Sequence, residues 1–117
     1  MYKTYSKQAE FFVIYIHEAH ASDGARPIKN DPVSKKTQEP TTLEERIGNA
    51  STCVDDLDIT MPCLIDDMKN STDKAYSGWP DRIYVIGVDG KIAYRGEQGP
   101  KGFKPDEAEA ALKEVLK

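Results

Sequence analysis

The sequence predicts an α/β fold in a single domain, residues 1–117. Two patterns indicate this class. Short apolar, β-branched stretches begin at Phe11 and Met61, and each is followed by a segment with helical spacing. A strand-turn-strand pattern then precedes a last amphipathic segment, and helices alternating with strands pack as layers of helix on sheet.

The first half predicts a helix end, a strand, a loop and a helix. The polar start is typical of the last turns of a helix, and "FFVIYI" (Phe11–Ile16) is typical of a strand covered on both faces. A long Gly/Pro-containing loop, residues 21–42, follows. A capping box, Thr41 with Glu44 or Thr42 with Glu45, then predicts a helix start. Its apolar stripe comprises Leu43, Ile47, Ala50, Val54 and Leu57.

The second half predicts a strand, a short helix, a hairpin and a closing helix. "MPCLIDD" is strand-like, and "NSTDKAYSG" predicts a helix capped by Asn70 or Ser71. "RIYVI" and "KIAYR", joined through Asp89-Gly90, predict a β-hairpin, and Pro105 begins the last helix. This order matches the second half of a thioredoxin-type fold, so we expect an α/β sandwich with a mixed sheet.

The composition excludes some classes of partner. The 117 residues carry a net charge of -4, which argues against nucleic acid or an anionic membrane. No apolar stretch is long enough to span a bilayer, and the start lacks the apolar core of a signal peptide. Two cysteines suit a reducing compartment or one redox pair, so we expect a cytoplasmic protein.

His17 and His20 are the only histidines, and Glu18 lies between them just after the predicted strand. The residues alone leave two readings open, an acid–base site or an ordinary polar turn. Three side chains on one extended segment cannot converge on a metal ion, so no metal site is predicted. Strand alternation places His17 opposite Glu18, in a structural or exposed role.

Cys53 and Cys63 also allow two readings. They lie at the end of a predicted helix and the start of a predicted strand, where two thiols can approach each other. In the first reading the two thiols approach each other and form a redox pair. In the second reading they are small hydrophobic side chains, which is the usual role of free cysteine.

Four stretches in order resemble the iodothyronine deiodinase family, especially its bacterial members. They are "FFVIYIHEAHASDG", "LEER", "PCLIDDMKNSTDKAYSGWPDRIYVI" and "DGKIAYRGEQGPKGFKP". The resemblance implies a thioredoxin-like fold. Vertebrate members reductively remove iodine from thyroid hormones with a selenocysteine nucleophile, which is cysteine in many bacterial relatives.

The resemblance also implies roles for particular residues. Glu18 and His20 match the family's Glu-Ala-His and are expected to form a proton relay. Trp79 and Pro80 are expected to line the site. The nucleophile precedes the segment that matches Phe11, so we expect a chain that lacks the first β-α unit and is inactive alone. No cofactor is expected, only an external thiol reductant.

The substrate and two rival functions stay open. A halogenated phenol, a peroxide or a protein disulfide would each suit a thiol or selenol nucleophile. Ala25, Pro40 and Gln98 depart from positions associated with hormone binding in the family. One rival is a non-catalytic binding module that pairs, as a homodimer or with another protein, through an open sheet edge. The other is a minimal oxidoreductase that uses Cys53 and Cys63.

Overall fold

The computed structural model describes residues 1–18 and 38–117. These residues form two compact units, one spanning Phe11–Ser77 and the other combining Met1–Glu10 with Gly78–Lys117. The described elements, in chain order, are α1 (Tyr2–Tyr5), β1 (Val13–Tyr15), α2 (Leu43–Asp56), β2 (Cys63–Ile65), α3 (Ser71–Tyr76), β3 (Tyr84–Ile86), β4 (Ile92–Arg95) and α4 (Pro105–Val115).

In the unit of residues 11–77, β1 and β2 form a parallel pair with Val13 opposite Cys63 and Tyr15 opposite Ile65. The apolar run before Glu18 predicts a strand covered on both faces, but the structure covers it unequally. Ile14 and Leu64 are paired with each other and point to the same face of the sheet, and both are exposed. Successive side chains of a strand point to opposite faces, so only one face of this sheet is shielded by α2.

Helix α2 begins at a capped N-terminus. Thr42 is the N-cap, and its hydroxyl accepts a hydrogen bond from the Glu45 backbone N–H at 3.2 Å. The Glu45 carboxylate accepts from the Thr41 backbone N–H at 3.1 Å rather than from Thr42. The capping box is therefore the Thr42–Glu45 alternative, with its return bond shifted by one residue.

The buried face of α2 differs from the predicted stripe. Leu43 and Ile47 are 43% and 42% exposed, whereas Arg46 and Ala50 are each only 2% exposed. The helix is rotated so that a charged residue faces the interior. This is compatible with stability because the Arg46 side chain finds polar partners there, as described below.

In the other unit, β3 and β4 form the predicted antiparallel hairpin, with Val85 opposite Tyr94. Gly90 adopts φ 80°, a left-handed conformation that favours glycine in the turn. Helix α4 packs against both strands and buries Ala108 and Leu112. These two residues are the buried apolar side chains described in this unit.

The predicted α/β class is confirmed, and the elements follow the predicted order. The predicted mixed sheet is not what the structure shows, because the described strands form one parallel and one antiparallel pair. The thioredoxin-like sandwich and the single domain stay predictions. Within residues 1–18 and 38–117, no helix combines the length and apolarity needed to cross a bilayer.

Candidate functional site

Glu18 is a buried carboxylate just beyond the end of β1. Its Oε2 accepts a hydrogen bond from Asn49 Nδ2 at 3.1 Å. Its Oε1 lies 3.5 Å from Nη2 of Arg46, and each of these two side chains is only 3% exposed. A buried carboxylate needs such partners, since an uncompensated charge would be costly in the protein interior.

Arg46 links Glu18 to the segment after β2. Its Nη1 donates to the backbone carbonyl of Asp67 at 2.6 Å. Arg46 Nε and Glu18 Oε1 are buried and have no hydrogen-bond partner in the part of the chain that the structure describes. The contact between Glu18 and Arg46 is therefore an ion pair that is not closed by a hydrogen bond.

Tyr15, at the end of β1, belongs to the same cluster. Burial raises the pKa of its hydroxyl far above the ordinary value, and the charge of Glu18 and a hydrogen bond to Glu18 raise it further. The Arg46 cation acts in the opposite direction but is outweighed. Tyr15 therefore stays a neutral phenol near neutral pH and serves Glu18 as a hydrogen-bond donor.

Asp66, directly after β2, is a buried carboxylate that sequence reasoning did not single out. It accepts backbone hydrogen bonds from Asp67, Thr72 and Asp73, each at 2.9 Å. Burial tends to raise its pKa, but the N–H groups of Asp73, Thr72 and Asp67 outweigh that effect and lower it. The signal was an aspartate shortly before a predicted helix start, which is typical of capping.

Asp67 holds the same turn from its exposed side. Its carboxylate accepts from the Ser71 hydroxyl at 2.7 Å and from the Lys69 N–H at 3.1 Å. The Ser71 hydroxyl lowers the pKa of Asp67. Because the Asp67 carbonyl receives Arg46, this ordered turn positions the guanidinium that faces Glu18.

Of the two histidines of the predicted site, the structure describes only His17. The His17 side chain is 40% exposed and its Nε2 lies 3.5 Å from the Glu39 carboxylate, while the adjacent Glu18 is buried. This agrees with the alternation that places them on opposite faces. His20, the predicted relay partner of Glu18, lies outside the described residues, so its role stays a prediction. Among the described residues, no three His, Cys, Asp or Glu side chains are grouped to hold a metal ion.

Cys53 on α2 and Cys63 on β2 are free thiols, and both are half-buried. Cys63 lines a cavity of about 190 Å³ together with residues of α2, including Ala50 and Val54. Burial raises the pKa of both thiols, and the Cys63 charge raises that of Cys53 further. Neither thiol has the lowered pKa of an activated nucleophile.

Trp79 and Pro80 belong to the other unit, before β3. Both are half-buried, and the peptide bond between them is cis. Gln98 Nε2 donates to the Trp79 carbonyl at 2.7 Å, which attaches the segment before β3 to the loop after β4. Their expected site-lining role stays a prediction.

Comparison with known proteins identifies relatives over nearly the whole chain. A family model described as iodothyronine deiodinase matches residues 1–116. The type I iodothyronine deiodinase of Xenopus laevis is 36% identical over 104 residues, covering 89% of this chain and 39% of the relative. The thyroxine 5-deiodinases of Sparus aurata and Bos taurus are 31% and 32% identical, covering 88% and 92% of this chain and 37% and 34% of the relatives.

The chain therefore spans between a third and two-fifths of the length of these curated relatives. All three are vertebrate proteins, and they give no support to the expectation of a bacterial type. The relationship covers both compact units, since the family match extends from residue 1 to residue 116.

Proposed function

This chain belongs to the iodothyronine deiodinase family, and from that premise we propose that it carries the acid–base part of a thiol- or selenol-dependent reductive dehalogenase. Glu18 and His20 relay the proton. The observation that carries the proposal is the buried Glu18 carboxylate, which is held by Arg46, Asn49 and Tyr15 at the position of the family's Glu-Ala-His.

The proposed reaction explains why a relay is needed. In reductive dehalogenation of an iodinated phenol, the C–I bond breaks and a C–H bond forms. Two equivalents of an external thiol are oxidised to a disulfide, and the iodine leaves as iodide with a proton. The carbon therefore gains one proton per turnover, and a carboxylate paired with a histidine can deliver it near neutral pH.

We place the nucleophile, a cysteine or selenocysteine, on sequence outside this chain. Two facts support this. Burial raises the pKa of both Cys53 and Cys63, which makes them poor nucleophiles near pH 7. The relatives also have more than half of their length beyond the matched region. The 117-residue chain alone is then expected to release little or no iodide.

The test is thiol-dependent iodide release by the protein as its gene encodes it, with an iodinated phenol as substrate. We expect Glu18→Gln and His20→Asn each to lower kcat by about 10²-fold or more, the scale of general acid–base catalysis. Glu44→Gln is the matched control, since Glu44 is exposed in the first turn of α2. Unchanged turnover by Glu18→Gln would refute the proton relay. If the protein reduces a peroxide or a disulfide but not the iodinated phenol, the proposed substrate class is wrong.

A second candidate, a minimal oxidoreductase, is favoured by the electrostatic interaction between Cys53 on α2 and Cys63 on β2. Two neighbouring thiols form a disulfide when an oxidant such as hydrogen peroxide takes up their two electrons and two protons, giving water. Mass measurement after mild peroxide treatment and alkylation would then show one chain that has lost two hydrogen atoms and carries no alkyl group. Independent alkylation of Cys53 and Cys63 after that treatment would exclude this candidate.

The binding-module alternative and the homodimer through a sheet edge also stay proposals. In the described part of the chain, β1 and β2 pair only with each other, so each has a second edge without a strand partner. Sedimentation of the chain at several concentrations tests self-association. A monomer at all concentrations excludes the homodimer.

A further inference from the structure

The two oxygens of the Glu18 carboxylate have different environments. Oε2 accepts a hydrogen bond from Asn49, whose Nδ2 also donates to the Gln38 carbonyl at 2.7 Å. Oε1 accepts no hydrogen bond from the described residues. An oxygen whose lone pairs are not engaged is the better proton acceptor, so the carboxylate has a holding side and a reactive side.

Arg46 faces the reactive side without engaging it. Its Nη1 is fixed by the Asp67 carbonyl, whereas Nη2 and Nε lie on the other edge of the planar guanidinium. Nη2 is 3.5 Å from Oε1, beyond the usual N–H···O range of about 2.7–3.2 Å. The Arg46 guanidinium therefore lies beside Oε1 without donating a hydrogen bond to it.

We infer that Arg46 and Asn49 are positioning residues for proton transfer by Glu18. Asn49 fixes Oε2, Arg46 places a fixed positive charge beside Oε1, and Oε1 takes up and returns the proton. A proton from the S–H bond of the external thiol forms an O–H bond at Oε1. That O–H bond breaks when the proton moves through His20 to the substrate carbon, so Glu18 ends each turnover as a carboxylate. The inference rests on the proposed function and adds the residues that orient its base.

Among the described residues, Tyr15 on β1 interacts electrostatically with Glu18 and with Cys53 and Arg46 on α2. Arg46 is the cation of this set, so its replacement by neutral Met removes the positive charge that lies 3.5 Å from Oε1 of Glu18. We expect Arg46→Met to move the acidic limb of the kcat–pH profile of iodide release to higher pH. Arg46→Lys keeps a positive charge and is expected to restore most of the profile.

Asn49→Leu tests the holding side with a residue of similar size. We expect kcat to fall about 10-fold with KM changed less than about 2-fold, because orientation of the base and not substrate binding is lost. Lys113→Met is the control, since Lys113 is exposed on α4 in the other unit.

Circular dichroism shows which variants are folded, and Arg46→Lys and Asn49→Leu carry the kinetic test if Arg46→Met is not.

The outcomes separate the two proposals. If Glu18→Gln turns over like the wild type, the proposed function fails. If Glu18→Gln is impaired while Arg46→Lys, Arg46→Met and Asn49→Leu keep the wild-type kcat and pH profile, only the positioning inference fails.

Discussion

The guanidinium Nη2 of Arg46 lies 3.5 Å from Oε1 of Glu18, with both side chains 3% exposed. The pair connects helix α2 to the end of strand β1, and Nη1 extends the connection to the Asp67 carbonyl after β2. A charge at this depth depends on its partner. Removal of one partner from a buried pair leaves the other uncompensated, which costs about 3–5 kcal/mol.

We therefore expect Arg46→Met to lower the free energy of unfolding by about 3–5 kcal/mol. Adding Glu18→Gln should recover part of that loss, because the charge left unpaired by the first change is removed. Urea unfolding of both single variants and the double variant measures this coupling. Strictly additive losses, within about 0.5 kcal/mol, would show that the two side chains do not interact energetically.

Asp66→Asn should destabilise the protein by about 1–3 kcal/mol, since an amide cannot accept all three backbone hydrogen bonds of the carboxylate. The folded pKa of Asp66 is lowered. Its stabilisation is therefore complete above the unfolded pKa of about 3.9 and is lost as the pH falls through the folded value.

Urea midpoints of wild type and Asp66→Asn between pH 7 and pH 3 test that dependence. The difference in urea midpoint between the wild type and Asp66→Asn should be constant above about pH 5 and should decrease below about pH 4. Asp55→Asn, at an exposed position on α2, should show no such decrease. A midpoint difference that increases on acidification would contradict the lowered pKa of Asp66.

Cys53 and Cys63 should react slowly with iodoacetamide at pH 7. Burial raises both pKa values, so the thiolate fraction is smaller than in an ordinary thiol. The rate should rise with pH and its midpoint should lie above the ordinary thiol value of about 8.5. Cys53→Ser and Cys63→Ser assign the rates, with glutathione as reference; a midpoint below that of glutathione would indicate an activated thiol.

Ala108→Leu should destabilise the unit that contains α4 by about 1–3 kcal/mol, because Ala108 is 0% exposed and a larger side chain overpacks the site. Ala110→Leu is the matched control on the exposed face of the same helix. Urea unfolding compares the two. Equal stability of both variants would show that α4 does not pack closely against the hairpin.

Local patterns were sufficient for most elements. The Thr42–Glu45 capping box, the Asp89-Gly90 turn and Pro105 at the first position of α4 each depend on neighbours within a few residues. Such signals can be recognised in a sequence because the interactions that they report are local. Glu18 was singled out in the same way, by its place after a strand and by the family motif.

Other features depend on residues that are distant along the chain. The sequence alone determined the order of helices and strands, the Asp89-Gly90 turn and the motif that contains Glu18. Only the tertiary structure decided that α2 turns Arg46 inward while Leu43 and Ile47 stay exposed. The reason is that Arg46 finds Glu18 and the Asp67 carbonyl, 28 and 21 positions away in the sequence, only when β1, α2 and β2 pack together.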